Sequence, residues 1–229
     1  MSEDTLSQRL HTIQAHLPPH VRLIAVTKQV PVAVIRHAYE LGLRDFGESR
    51  VQEAQAKAAL LQDLPDLTWH LIGHLQSNKA RLALQQFSWI HSVDSLALAQ
   101  KLDHLNQTLQ RPAQLLLQVK LRPDPHKHGW TIPDLLTALP ALSRLRHVHI
   151  KGLMTILPLG LSPAERQHLF RELPALGAQL QSHLPLKEYS MGMSDDYPQA
   201  LAAGATMIRL GRCLFGERPP ITPPDESAS

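Results

Sequence analysis

Lys28 closes the run Leu23-Ile24-Ala25-Val26-Thr27-Lys28, which reads as a buried strand. With period-two alternation it shares a face with Ile24 and Val26, so its ammonium points toward the open end of the sheet. An amine partly withdrawn from water loses its proton more readily and can attack a carbonyl carbon. The same residues read equally as a lysine that snorkels from a strand end into solvent. Near the other end of the chain, Ser190-Met191-Gly192-Met193-Ser194 ends a strand and leads into a helix. Arg209-Leu210-Gly211-Arg212 ends the last strand, and Phe215-Gly216 continues it. Hydroxyls, glycines and unpaired backbone N–H groups at a strand end make a phosphate cradle. Either segment alone is an ordinary glycine turn with a serine cap. Together, and in register with Lys28 on a neighbouring strand, they favour a phosphorylated carbonyl ligand. Arg209 alternates with Ile208 and Leu210 and so faces inward, toward a ligand or a carboxylate partner.

The elements that must position these groups follow a repeated scheme, a short apolar run and then a segment of helical period. After the first strand, Pro31 opens a helix with Val34, Ile35, Ala38 and Leu41 on one face, and Gly42 ends it. Strands are predicted at 44–47, 69–73, 89–93, 113–121, 148–156, 188–191 and 207–210. Helices are predicted at 50–61, 78–86, 131–142 and 197–203. Asp94 is placed to cap the helix carrying Leu96, Ala99, Leu102 and Leu105. Thr131 and Asp134 form a capping pair, and Ser162-Pro163-Ala164-Glu165 a capping box with proline at the first helical position. The helix that follows presents Leu169, Leu173, Leu176 and Leu180, and Pro174 is expected to kink or split it.

Eight alternations result if the helix before Leu23 stands in for one after the last strand. The predicted fold is therefore α/β, a single TIM-like (β/α)8 barrel over residues 1–218, with an open doubly wound sheet as the rival. Residues 219–229 are proline-rich and polar and are expected to be disordered. In such barrels functional groups gather at the C-terminal ends of the strands, and phosphate sites use the loops after the seventh and eighth.

Composition narrows the setting. The chain has 229 residues, 43% hydrophobic and 19% charged, which fits one folded domain rather than a disordered one. No window approaches the roughly 20 apolar residues of a membrane span. The opening MSEDTLSQRL lacks the pattern of a secretory or transit signal. A single cysteine, Cys213, excludes an intrachain disulfide and fits a reducing compartment, so a cytoplasmic location is expected. The net charge of +3, without a dense basic run, gives no support for nucleic-acid binding.

Several strings resemble the pyridoxal phosphate homeostasis protein family (YggS/PROSC type), in order from about Val21 to Gly216. Ala25-Val26-Thr27-Lys28 resembles its lysine segment, and Asp45-Phe46-Gly47-Glu48-Ser49-Arg50-Val51-Gln52-Glu53 its D-F-G-E-N-R-x-Q-E signature. The run from Trp69 to Lys79 resembles its W-H-x-I-G-x-L-Q-x-N-K signature. His91-Ser92-Val93-Asp94, Gly152-Leu153-Met154-Thr155, Ser190–Ser194 and Ile208–Gly211 add further matches.

The resemblance implies a fold like the N-terminal barrel domain of alanine racemase, without the second domain. It implies pyridoxal 5′-phosphate (PLP) held as an aldimine on Lys28, with phosphate bound by Ser194 and the Gly211-Arg212 backbone. Ser190 and Gly192 belong to the cradle read from the run Ser190–Ser194, while the resemblance puts Ser49 and Met154 against the cofactor. Arg209 would face the pyridine nitrogen, discouraging its protonation and weakening the ring as an electron sink. Two residues depart from the family pattern, Ser49 for its usual Asn and Arg212 for its frequent Thr.

The function expected from this likeness is intracellular homeostasis of PLP (vitamin B6) and of amino and keto acids, by a monomer without enzymatic turnover. Apo-PLP enzymes are the candidate recipients. The alternative is a small PLP enzyme such as an amino-acid racemase. Racemisation needs an acid or base on each face of the substrate, and Lys28 serves only one. Tyr39, Tyr189 and Tyr197 have no assured place opposite it.

Fourteen histidines raise a metal site, but His126-Lys127-His128 and His147-Val148-His149 lack partners at zinc-site spacing and read as solvated. Lys127 reads as a surface lysine, His74 as a site-lining group or a helix cap, and Cys213 as a buried inert thiol. No catalytic or metal-binding residue is assigned.

Overall fold

Eight parallel strands pair in chain order and close on themselves. They are β1 Arg22–Val26, β2 Asp45–Glu48, β3 Thr68–Leu71, β4 Trp89–Val93, β5 Ala113–Gln118, β6 Val148–Met154, β7 Glu188–Ser190 and β8 Met207–Leu210. The computed structural model describes residues 3–109, 111, 113–125 and 127–217, so the proline-rich segment 219–229 and His126 lie outside the described residues. Closure is made by β1 against β8, with Ile24 opposite Arg209 and Ala25 opposite Leu210. That pairing sets the end of the lysine strand beside the arginine strand.

The outer ring is α1 Glu3–Ala15, α2 Val32–Glu40, α3 Val51–Ala59, α4 Ala80–Gln86, α5 Leu96–Leu109, α6 Ile132–Leu142, α7 Pro163–Leu180, α8 Tyr197–Ala202 and the single turn α9 Arg212–Phe215. α1 buries Leu6, Leu10 and Ile13 at helical spacing and packs against α9 and α2, filling the place a long helix after β8 would take. Both predicted helix starts on the second half form as read. Thr131 accepts from the Asp134 amide at 3.2 Å, and Ser162 and Glu165 complete a reciprocal capping box. α7 continues unbroken through Pro174. The cap of α5 differs from expectation, because Ser95 accepts from the Leu98 amide at 3.3 Å. Asp94 is turned instead toward His74 and His128.

The core between strands and helices is aliphatic, whereas the lumen is mixed. Ile24, Trp89, Leu116, Met154 and Met207 form a buried cluster inside the barrel. Alongside them lie the wholly buried His70, His91 and Ser190, with Arg209 only 4% exposed. Barrel lumens are usually packed with branched apolar side chains, so four polar ones there require a network that satisfies them.

Candidate functional site

Lys28 sits in the turn just beyond β1, half-buried, with its backbone gripped on both sides. Before it, the Thr27 carbonyl accepts from Lys57 Nζ at 2.6 Å and from the Val30 amide at 2.8 Å. After it, the Gln29 amide donates to Glu53 Oε1 at 2.8 Å, with Gln29 held at φ 60. A non-glycine residue in the left-handed region is strained and persists only where its surroundings enforce it.

The enforcing group is a buried knot on β2 and α3. Lys57 Nζ lies 2.6 Å from Glu48 Oε1 and 2.8 Å from Glu53 Oε1, and the Thr27 hydroxyl also donates to Glu48 at 2.6 Å. Burial pushes the Glu48 carboxyl up, opposed by Lys57 and Thr27. At Glu53 burial also pushes upward, but Lys57 and the Gln29 amide outweigh it and hold that carboxyl below its ordinary value.

Arg209 projects from β8 into the lumen. Its Nη1 donates to Ser190 Oγ at 2.6 Å and its Nη2 to the Thr155 carbonyl at 2.9 Å. Burial pulls the guanidinium down to about 10, with Asp196 opposing, so it remains a cation at neutral pH. Ser194 joins the loop after β7 to the one after β8, its Oγ accepting from the Cys213 amide at 3.3 Å. Among the described residues that hydroxyl proton meets no acceptor, which leaves it for an anion. Gly192, at φ 90, makes the turn between β7 and Ser194, and a Cβ there would come within 2.6 Å of Ala200.

These groups meet in one cavity of about 290 Å³ at the C-terminal end of the strands. Of the nine residues singled out from sequence, Lys28, Ser49, Ser194, Arg209, Gly211 and Arg212 line it. The other three do not. Met154 packs among the apolar lumen residues, Ser190 is spent on Arg209 and His91, and Gly192 shapes the loop behind. Val26, Ile72, Ile156, Met193 and Asp195, none of them singled out as site residues from sequence, complete the wall.

Asp195 is an ion-pair partner of Arg212 across the rim, so the arginine charge is already offset at the proposed cradle. Ser49 reaches the cavity because Gly73 lets the loops after β2 and β3 touch. A Cβ on Gly73 would lie 2.3 Å from the Ser49 carbonyl oxygen.

The remaining signals resolve differently from expectation. His74 neither lines this cavity nor caps a helix. Its Nδ1 is 3.1 Å from Asp94 Oδ2, and its ring stacks on His128 with centroids 3.6 Å apart. His128 Nδ1 is 3.6 Å from the same oxygen. The three offer candidate ligand atoms within 4.8 Å of one another. Both rings thus face the one Asp94 carboxylate. Lys127 is not a free surface lysine, since its Nζ donates to the Leu157 carbonyl at 2.5 Å. Cys213 is half-buried and unpaired by disulfide.

A larger cavity, about 580 Å³, opens at the opposite end of the barrel between Arg22, Asp45, Trp89, Lys151, Lys187 and Glu188. It holds none of the nine candidate residues.

The model of the alanine racemase N-terminal domain family matches residues 1–219. A curated pyridoxal phosphate homeostasis protein from Synechocystis is 56% identical over 208 residues, 90% of this chain and 95% of that one. This chain belongs to the pyridoxal phosphate homeostasis protein family. The Escherichia coli member is 37% identical over 205 residues, covering 88% of this chain and 87% of the relative. PipY from Synechococcus elongatus, solved with PLP bound, is 56% identical with a TM-score of 0.89. That match covers 92% of this chain and all of PipY. Alanine racemase from Clostridium difficile, at 17% identity and a TM-score of 0.77, shares the barrel fold, and this chain spans 57% of its length. Among the described residues no helix is long and apolar enough to cross a membrane.

Proposed function

We propose that this protein binds PLP in the cavity at the strand ends and holds it on Lys28 as a reversible store for the cell's PLP-dependent enzymes. The observation that carries the reading is the convergence of Lys28, Ser194, Arg209 and Gly211 on one cavity. Each offers what one part of PLP requires. The Lys28 amine adds to the aldehyde carbon, and loss of water leaves a C=N bond that water can reopen. Ser194 Oγ–H and the amides of Gly211 and Arg212 suit the phosphate. Arg209, which can only donate, suits the pyridine nitrogen as acceptor. A volume near 290 Å³ lies just below the ~300–1,000 Å³ of small-molecule sites, leaving little room for a second ligand.

The same cavity argues for storage over turnover. Lys28 supplies an acid/base group on one face, and no tyrosine is among the lining residues. The Tyr39 hydroxyl is bonded to Asp66 on the outside, and Tyr189 packs beside Gly177 of α7. The homeostasis names of the relatives point the same way. A monomer in the cytoplasm delivering PLP to apo-enzymes is the corresponding cellular picture.

The test is absorbance of the purified protein with PLP, before and after borohydride reduction, with the modified peptide mapped. A pyridoxyl adduct on Lys28 is expected in the reduced sample, while unreduced protein should transfer PLP to an added apo-enzyme and racemise no free amino acid. An adduct elsewhere, or steady turnover of an amino acid, would overturn the reading.

A further inference from the structure

Arg209 is one end of a hydrogen-bonded chain that runs down the lumen to the opposite opening of the barrel. Arg209 Nη1 donates to Ser190 Oγ at 2.6 Å, and Ser190 Oγ lies 2.9 Å from His91 Nδ1. His91 Nε2 is 3.0 Å from His70 Nδ1, and His70 Nε2 is 2.8 Å from Asp45 Oδ1. The five groups come from β8, β7, β4, β3 and β2. Ser190, His91 and His70 are wholly buried, whereas the Asp45 side chain is 23% exposed and lines the cavity at the barrel floor.

With both buried rings neutral, the direction of every bond in this chain follows. A guanidinium has no acceptor and an ionised carboxylate has no donor. At the far end Asp45 accepts from His70 Nε2–H, so His70 Nδ1 accepts from His91 Nε2–H. His91 Nδ1 then accepts the seryl proton, while Ser190 Oγ accepts from Arg209. Both neutral rings are therefore the same tautomer.

The surroundings agree with neutrality. Burial holds both imidazoles below the ordinary histidine value, most strongly His91, where His70, Arg209 and Arg22 add to the effect. Asp45 pulls His70 partly back up. Trp89 stacks on His70 with ring centroids 5.9 Å apart, and Arg22 lies 5.0 Å over the Trp89 ring and 3.6 Å from Asp45.

An apolar lumen would fill this space without desolvating five polar groups. What the chain supplies instead is a fixed guanidinium. With one hydrogen spent on Ser190 and one on Thr155, three of the five donors of Arg209 remain for the cavity. We propose that Asp45, His70, His91 and Ser190 are positioning residues that lock Arg209 as the donor at the PLP ring nitrogen, linking the cofactor to the charged cavity at the barrel floor. The proposal rests on the reading that PLP occupies the Lys28 cavity.

Two measurements test it. Long-range 1H–15N spectra of the imidazoles, recorded on the protein without PLP, should show both rings as the Nε2–H tautomer and still neutral below pH 6.5, His91 furthest. Either ring appearing as the Nδ1–H form, or titrating at its ordinary value, overturns the chain.

With PLP, Ser190→Ala removes a charge-assisted bond to Arg209 and should weaken uptake by roughly ten- to a hundredfold. Asp45→Ala, at the far end, should weaken uptake about threefold to tenfold, shift the absorbance of the bound cofactor and release the His70 tautomer. Asp45→Asn restores an acceptor and should rescue both affinity and spectrum. If folded Asp45→Ala protein keeps wild-type affinity and absorbance while losing only stability, the chain is packing and the proposal fails. Wild-type protein that takes up no PLP refutes the cofactor assignment itself. That outcome is distinct from normal uptake with a wrong tautomer, which refutes the relay alone.

Discussion

Lys57→Met tests the knot that holds the lysine turn. Lys57 is 11% exposed at its side chain, the Glu48 side chain is fully buried, and Glu48 Oε2 has no partner among the described residues. Removing the ammonium leaves Glu48 with the Thr27 hydroxyl alone, and strips a donor from the Thr27 carbonyl and a partner from Glu53. Breaking a buried pair from one side costs about 3–5 kcal/mol. That is a large part of the roughly 5–15 kcal/mol that keeps a domain folded. At roughly 2–4 °C per kcal/mol for a chain of this size, the melting temperature should fall by about 6–20 °C.

The deficit must shrink toward acid. Burial has already raised the Glu48 carboxyl, and a protonated Glu48 needs no cation. Urea and thermal unfolding of PLP-free protein at two pH values measure this without ligand stabilisation. Glu48→Gln in the same background should return part of the loss, because the uncompensated charge is gone. The variant that still folds should also take up PLP less well, since the turn around Lys28 has lost its grip. If Lys57→Met stays within about 0.5 kcal/mol of wild type with unchanged PLP uptake, the knot neither stabilises the fold nor shapes the site.

Lys28→Ala should abolish the Schiff-base absorbance yet unfold within about 0.5 kcal/mol of wild type, since a half-buried side chain with no hydrogen-bond partner among the described residues is removed. Persistence of the band would refute the lysine assignment. Ser194→Ala should weaken PLP retention roughly tenfold through loss of one charge-assisted phosphate bond, read by equilibrium dialysis; equal retention would exclude the hydroxyl from the cradle. The lowered His70 and His91 also predict a pH dependence. Where the unfolded chain binds more protons than the native one, stability rises with pH. Stability should therefore be lost as pH falls from 6.5 toward the folded values, by at most about 1.4 kcal/mol per pH unit for each ring. A flat profile between pH 7 and 5 in a Glu48→Gln background, where the raised Glu48 carboxyl no longer opposes it, would show that neither ring is held neutral.

Features set by near neighbours in the chain were legible without coordinates. The run Leu23–Val26 announces a strand by its composition, and the Ser162–Glu165 box and the Thr131–Asp134 pair announce helix starts by spacing alone. Strand–helix alternation repeated through the chain gives the barrel, and with it the neighbourhood of Lys28 and Arg209. The Asp94 cap failed because two adjacent residues, Asp94 and Ser95, both suit a cap. Histidines brought in from the loops after β3 and β5 then claimed the aspartate.

The knot around Lys28 left a partial trace, since Glu53 and Lys57 stand four apart on α3. Nothing local assigned Glu48 and Thr27 to it. The lumen chain left less. His70 and His91 lie inside strings that read as strand and family signature, and their partners are far away, with His91 and Ser190 separated by 99 residues. The hydroxyl-and-glycine run placed Ser190 at the ligand and the family likeness placed Met154 there; packing makes the first a link between Arg209 and His91 and sets the second in the lumen.

Sequence alone thus determined the strand ends where chemistry can occur and which side chains are available there, because periodicity and capping are short-range. Which polar groups satisfy one another was decided only by barrel closure. Burial requires each donor to find an acceptor, and in a closed sheet that acceptor lies on another strand.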